Sequence, residues 1–281
     1  MAVGKKITDL TESGSLKDTD LAIVHDGNGT KKSTLTQLSE YMGTKFSNPN
    51  LLINPDFKIN QRGKTSYQVN GFEYTVDRWR VMNCTVSVSD NGLTIQNVSD
   101  GGSWISQKFE KELDGAFTLS IKVSSIIGRV YLSSPDNNVN ITSAGIYSVT
   151  LSNLSEFNMF VETGSSVTFE WAKLEQGSIA TPFVAPNPAE ELTKCYRYKY
   201  IGGANLRARC TGNQVFGFTK DLPTTLRTAP TMTFKREYTY NVNSLNLSVK
   251  DGNNAVYISG TAENTNQAVI DVILDLDAEV Y

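Results

Sequence analysis

AFTLSIKV at residues 116–123 and SVTFEW at residues 166–171 decide the fold. Apolar side chains take every second position in both stretches, the period of a β-strand with one buried face. These positions are Phe117, Leu119, Ile121 and Val123 in the first stretch and Val167, Phe169 and Trp171 in the second. The alternation predicts half-buried strands of an antiparallel sheet, with Trp171 on the core side.

The same pattern extends outward in both directions. Between Asn50 and about Pro186 we count eight to ten short strands separated by Gly, Asn, Asp and Ser turns, which predicts a jelly-roll β-sandwich. After the proline-rich TPFVAPNP (181–188), AEELTKCYRYKYI (189–201) begins as a turn of helix and continues as a strand. Even positions from Ala268 to Val280 are apolar, which predicts the clearest strand of a second β-sandwich. In that sandwich Tyr238 and Tyr240 share the phase of Met232 and Phe234, which favours packing.

The first 49 residues form a smaller α+β pattern. The apolar run that ends at His25 precedes Asp-Gly and Asn-Gly turn signals, which predicts a hairpin with its turn at 26–29. Thr34 and Gln37 form a capping box that starts a short helix. So small a unit cannot bury its own apolar stripe, and we expect it to dock on a partner or on copies of itself.

The predicted fold class is therefore mostly β. It comprises a small N-terminal α+β attachment module, a jelly-roll β-sandwich and a C-terminal β-sandwich. The predicted boundaries are 1–49, 50–186 and 187–281.

Composition excludes several classes of function. Among 281 residues, 26 Lys and Arg face 29 Asp and Glu, and a net charge of −3 argues against nucleic acid as a partner. Because His25 is the single histidine, catalysis by a histidine triad or a multi-histidine metal site is not expected. The three cysteines predict reduced structural thiols, and no cofactor is predicted. No apolar run approaches 18 residues, so we expect no membrane insertion.

Four motifs in order resemble those of phage tail-fibre and receptor-binding proteins. They are LLINPDFKINQRG (51–63), YTVDRW (74–79), FEWAKLEQGSIATPFV (169–184) and EELTKCYRY (190–198). The segment GFTKDLPTTLRTAPTMTF (217–234) is similar to the distal region of such fibres. The stretch that begins with ITDLTES at residue 7 is similar to their particle-attachment module.

The resemblance implies a homotrimeric appendage of the virion tail, assembled in the host cytoplasm. Residues 1–49 would bind other tail or baseplate proteins. The middle domain would be a jelly roll related to carbohydrate-binding modules, and the C-terminal β domain would form the distal tip. Host cell-surface polysaccharide would be bound through these two β domains, and which of them makes first contact stays open. One alternative is a baseplate or tail connector with no host contact. A second is a capsule depolymerase.

Sugar binding without catalysis needs aromatic faces and fixed polar groups. If Ile105 faces the core, then Trp104 and Lys108 face outward, as do Lys122, Arg129 and Tyr131 on other strands. Should these strands be neighbours, they form a patch for an anionic or neutral glycan. Tyr257, between the apolar Val256 and Ile258, is a further candidate. The alternative is that Trp104 fills a domain or subunit interface. The predicted ligand-binding residues are Trp104, Tyr131, Lys108, Lys122, Arg129 and Tyr257.

The depolymerase alternative would need a pair of catalytic carboxylates. Asp275 and Asp277 share a strand face at a spacing that suits a glycosidase pair, although a polar strand face suits it better. Asp56 and Glu175 lie where jelly-roll modules of the resembling kind hold calcium, but no D-x-D-x-D-G loop is present. We predict no catalytic residues and no metal site.

Overall fold

A computed structural model describes residues 15–25, 27–43, 45–133 and 138–279. The ITDLTES stretch, Asp26 of the predicted turn and Val280 lie outside them. The contacts group the chain into two units. One comprises residues up to Asn48 with Ile179–Val184, and the other comprises Pro49–Ser178 with the chain from Ala185 onward.

The first unit contains the predicted hairpin and helix. Strand β1 (Leu21–His25) pairs antiparallel with β2 (Thr30–Thr34), and α1 (Leu35–Gly43) follows at once. The capping box is confirmed. The backbone N–H of Gln37 donates to Thr34 Oγ1 at 3.1 Å, and the backbone N–H of Thr34 donates to Gln37 Oε1 at 3.0 Å. No residue of α1 is buried.

Ten strands of the second unit are hydrogen-bonded into one β-system. They are β3 (Ser66–Gln68), β4 (Phe72–Tyr74), β5 (Arg80–Met82), β6 (Thr85–Ser89), β7 (Gly92–Gln96), β8 (Ser103–Ile127), β9 (Val130–Leu132), β10 (Val139–Ile141), β11 (Gly145–Val161) and β12 (Ser166–Gln176). The long strands β8 and β11 form an antiparallel ribbon. Strands β5 and β9 extend one end of the ribbon, and β12 and β7 extend the other. Inward side chains from both ends share one core, as expected for the predicted sandwich.

Two three-stranded sheets follow. Helix α2 (Pro188–Tyr196) leads into the strands β13 (Lys199–Cys210), β14 (Val215–Asp221), β15 (Thr231–Tyr240), β16 (Val242–Lys250), β17 (Ala255–Ala262) and β18 (Asn266–Asp277). The sheet orders are β13-β18-β15 and β14-β17-β16, and the two sheets share a second core. Alternate residues of β18 from Ala268 to Leu276 are buried, which confirms the predicted phase. The mostly β fold class is therefore confirmed, while the boundaries at 49/50 and 186/187 stay a proposal.

Two predictions about aromatic residues are wrong for the same reason. Trp171 is only partly buried, because a bulge between Phe169 and Trp171 shifts the phase of β12 by one residue. Ala172 takes the core position that the alternation assigned to Trp171. A second bulge, at Lys235, turns Tyr238 and Tyr240 outward, where they are 58% and 50% exposed.

The three cysteines are free and buried. Burial raises the pKa of the Cys84 thiol to about 12 and raises that of Cys195 as well. Neither thiol is therefore ionised near neutral pH, which agrees with the structural role predicted for them.

Candidate glycan-binding surface

An aromatic row crosses the outward face of one end of the sandwich. We define it by side chains that are cross-strand neighbours on β4, β5, β8, β11 and β9, in the order Phe72, Met82, Trp104, Phe160 and Tyr131. Neighbouring strands are about 4.8 Å apart, so the row extends over about 19 Å. Phe72 is 54% exposed and the other four are partly buried. The row thus presents a line of apolar side chains on a face that the core does not use.

Phe160 lies at the centre of the row. Its ring stacks on Tyr131 at 4.6 Å between centroids and meets Trp104 edge to face at 4.8 Å. The contact depends on Gly102, because a Cβ there would lie 2.0 Å from Cε2 of Phe160. The Phe160 ring thus occupies space that any larger residue at position 102 would take.

Ion pairs border the row on the same face. On β5 and β11, Arg80 Nη2 donates to Glu156 Oε2 at 2.8 Å, and the Arg80 guanidinium lies 4.5 Å from the centroid of Phe72. Beyond Tyr131, Arg129 pairs with Glu162 at 3.4 Å. The polar groups at this border therefore carry both signs of charge.

The structure brings together four of the six predicted site residues and separates two. Trp104 and Tyr131 meet through Phe160, Arg129 lies two residues from Tyr131, and Lys108 lies two alternate positions along β8 from Trp104. Lys122 lies 18 residues beyond Trp104 along β8, beside Trp171 and Ile146, and pairs with Glu170 at 2.6 Å. Tyr257 lies on β17 in the C-terminal sheets, with Lys250 over its ring.

Sequence reasoning missed Phe72, Met82 and Phe160. A signal was present for Phe160, which occupies an outward phase of FNMFV (157–161) while Phe157, Met159 and Val161 are buried. Gly102, immediately before β8, was a second signal, because a glycine beside a strand often marks close approach by another group.

The acidic residues of β18 belong to a different structure, which we call the charged joint. It connects the ten-stranded system to the C-terminal sheets through Arg62, Asp77, Lys199, Asp275, Asp277 and Glu279. Arg62 contacts Glu279 at 2.5 Å and Asp277 at 3.2 Å, and Lys199 pairs with both Asp275 and Asp277. Asp275 and Asp277, weighed above as a glycosidase pair, are thus both held in ion pairs.

Neighbouring groups tighten the charged joint. Gln61 Nε2 donates to Asp77 at 2.5 Å and to the Lys199 carbonyl at 2.6 Å. Burial raises the pKa of Asp77 to about 6. Nearby, hydrogen bonds from Arg197 lower the pKa of Glu110 to about 2. Asp77 and Glu110 thus each have a hydrogen-bond partner that stabilises the fold.

The residues considered for calcium are also engaged. Glu175 pairs with Lys173 at 3.2 Å, with both side chains buried, and Asp56 lies 3.7 Å from Lys58. Within the described ranges, no group of three or more His, Cys, Asp or Glu side chains is arranged to hold a metal ion. No helix in the described part of the chain is both long and apolar enough to cross a membrane.

No protein-family model matches this sequence, and no curated protein matches it. Among solved structures, a mutant of a family 29 carbohydrate-binding module is similar at TM-score 0.26 and 12% identity, over 44% of this chain and 100% of that one. Discoidin II of Dictyostelium discoideum is similar at TM-score 0.20 and 8% identity, over 66% and 81%. A chain from the structure of Sulfolobus Turreted Icosahedral Virus is similar at TM-score 0.18 and 9% identity, over 68% of this chain and 59% of that one. Likenesses this distant carry no argument about the chain.

Proposed function

We propose that this protein is a non-enzymatic tail-fibre or receptor-binding component of a phage virion that binds host surface polysaccharide. The observation that carries the glycan-binding part is the aromatic row. Sugar rings present apolar C–H surfaces that pack on aromatic side chains, while their hydroxyls need polar partners at the border. Trp104, Phe160 and Tyr131 supply the first, and Arg80 with Glu156 supplies the second.

The virion role rests on the four motifs that resemble those of tail fibres and on the N-terminal unit. In that unit the apolar side chains of Leu21, Ile23, Tyr41 and Met42 are between 45% and 76% exposed. A contiguous docking partner would cover such side chains. We assign residues 1–49 to attachment to other tail or baseplate proteins.

A homotrimer fits a shallow glycan site energetically. One row on one chain offers weak binding, and linked copies raise avidity without new contacts. Native mass measurement tests this part, with three times 30.9 kDa as the expected mass and a monomer as the contrary result.

Glycan binding is tested by Trp104→Ala on a glycan array. We expect at least about a tenfold loss of binding, because the variant removes a central ring of the row. Trp171→Ala is the matched control, since Trp171 is also partly buried on an outward face but lies beside Lys122. Equal behaviour of the two variants would remove the aromatic row from the function.

The same preparations separate the alternatives. Clearance of capsule by the purified protein would favour a depolymerase. A virion map in which other proteins cover the aromatic row would favour a connector.

A further inference from the structure

We propose that the Arg80–Glu156 ion pair is the polar half of the glycan site and selects a neutral glycan over an anionic one. This inference rests on the proposed function, because it concerns the ligand of the same surface. The sequence left both an anionic and a neutral glycan open as the ligand, and this inference chooses the neutral one.

Arg80 and Glu156 both lie on strands that carry residues of the aromatic row. Arg80 lies two residues before Met82 on β5, and Glu156 lies four residues before Phe160 on β11. No register shift separates Glu156 from Phe160, so alternation places both on the outward face. Arg80 also packs its guanidinium over Phe72, which fixes the ion pair at the edge of the row.

A cleft of about 350 Å³ opens beside Glu156. Its lining includes Ser133, Asn158 and the bulged stretch of β11 at 151–157, where Asn153 has a positive φ of 52°. That volume lies within the range of small-molecule sites. The cleft therefore gives a sugar unit space next to a carboxylate and an amide side chain.

The Arg80–Glu156 ion pair has hydrogen-bonding capacity that the pair itself does not use. Arg80 and Glu156 keep 16% and 27% of their side chains accessible, so a ligand can reach both members of the ion pair. Glu156 has free lone pairs beyond the one that Arg80 uses. A sugar hydroxyl donates and accepts, so it can satisfy both a carboxylate oxygen and an N–H group.

Charge decides the class of glycan. Each arginine at the border already has a carboxylate partner, Arg80 with Glu156 and Arg129 with Glu162. The third cation, Lys108, is partly buried on the strand opposite Glu156. A glycan carboxylate or sulfate would meet Glu156 and Glu162 before it gained an unpaired guanidinium. A neutral glycan meets no such repulsion and offers the hydroxyls that a paired Arg and Glu bind.

The test is affinity electrophoresis of the full chain on neutral polysaccharides, each compared with its own carboxymethyl derivative. We expect binding to at least one neutral polysaccharide and about tenfold weaker binding to its carboxymethyl form. Changing the salt concentration should alter the neutral affinity by less than about twofold, because no charge on the ligand is screened.

Glu156→Gln keeps the size of the side chain and removes its charge. We expect about tenfold weaker binding of the neutral polysaccharide and a smaller difference from the carboxymethyl form. Glu170→Gln is the control, because Glu170 pairs with Lys122 away from the row and should leave both affinities unchanged. Unchanged thermal melting of both variants shows that binding, and not folding, is measured.

The outcomes separate this inference from the proposed function. Equal or tighter binding of the carboxymethyl form, or normal binding by Glu156→Gln, overturns the inference while loss of binding in Trp104→Ala upholds the proposed function. Normal binding by Trp104→Ala, or no binding to any polysaccharide, overturns both.

Discussion

Removing the Glu279 carboxylate is expected to destabilise the protein strongly, because it leaves buried groups without partners. Glu279 is fully buried and accepts hydrogen bonds from Arg62 Nη2 at 2.5 Å and from the Arg78 amide at 2.6 Å. Loss of one partner of a buried ion pair costs about 3–5 kcal/mol. Arg62 keeps Asp277 at 3.2 Å, so we expect Glu279→Ala to cost about 3 kcal/mol, near the lower end.

Urea unfolding followed by tryptophan fluorescence measures this free energy of unfolding. Glu170→Ala is the matched control, since it removes a carboxylate whose ion pair with Lys122 is partly exposed, with 41% and 31% of the side chains accessible. That variant should cost less than about 1 kcal/mol. If Glu279→Ala costs no more than the control, the charged joint does not stabilise the protein as argued.

An Arg62→Ala variant and the double variant complete a cycle. Because Arg62 and Glu279 are in direct contact, their effects should fail to add by about 1–3 kcal/mol. Additive effects would mean that the Arg62–Glu279 contact itself contributes little and that the loss comes from the Arg78 amide.

Two further predictions concern other parts of the second unit. Gly102→Ala should displace the Phe160 ring and weaken glycan binding on the array by about as much as Trp104→Ala, with far-UV circular dichroism unchanged; normal binding would show that Phe160 tolerates the extra methyl group. Asp77 should contribute a pH-dependent difference in stability between wild type and Asp77→Asn, because its folded pKa of about 6 exceeds the unfolded value of 3.8. The native state then binds the Asp77 proton more tightly than the unfolded state, so the stability that this proton contributes is complete below pH 3.8 and is lost as the pH rises through about 6. Urea unfolding of both proteins across that interval measures the difference in their free energies of unfolding. A difference that stays constant with pH contradicts the raised pKa of Asp77.

Local alternation predicted the strands well because each strand has one buried face. The phase was right for β8 and β18, where Ile121 and Ile270 are fully buried. It failed after Glu170 and Lys235, because a bulge inserts one residue and reverses every later side chain. Neither position carries a residue type that marks a bulge, so the pattern alone held no warning.

The aromatic row was only half predictable for a different reason. Trp104 and Tyr131 could each be placed on an outward face from their own strand. Their meeting depends on Phe160, because β11 lies between β8 and β9. Register between strands that are distant in sequence is set by the packing of the whole sandwich, which no single stretch encodes.

The motifs and the aromatic row occupy different residues, so the residues that stabilise the fold are distinct from those of the proposed binding surface. Gln61 and Arg62 of the first motif and Asp77 of the second contribute to the charged joint, and Arg197 of the fourth binds Glu110 nearby. No member of the aromatic row lies in any of the four motifs.

Three of the four motifs that resemble those of tail fibres therefore contribute residues at or near the charged joint, and none contributes a residue to the aromatic row. If the row binds glycan as proposed, substitutions in it should alter binding without disturbing the charged joint, because the two sets share no residue. Variants of the aromatic row and its ion pairs therefore test the proposed recognition separately from the fold.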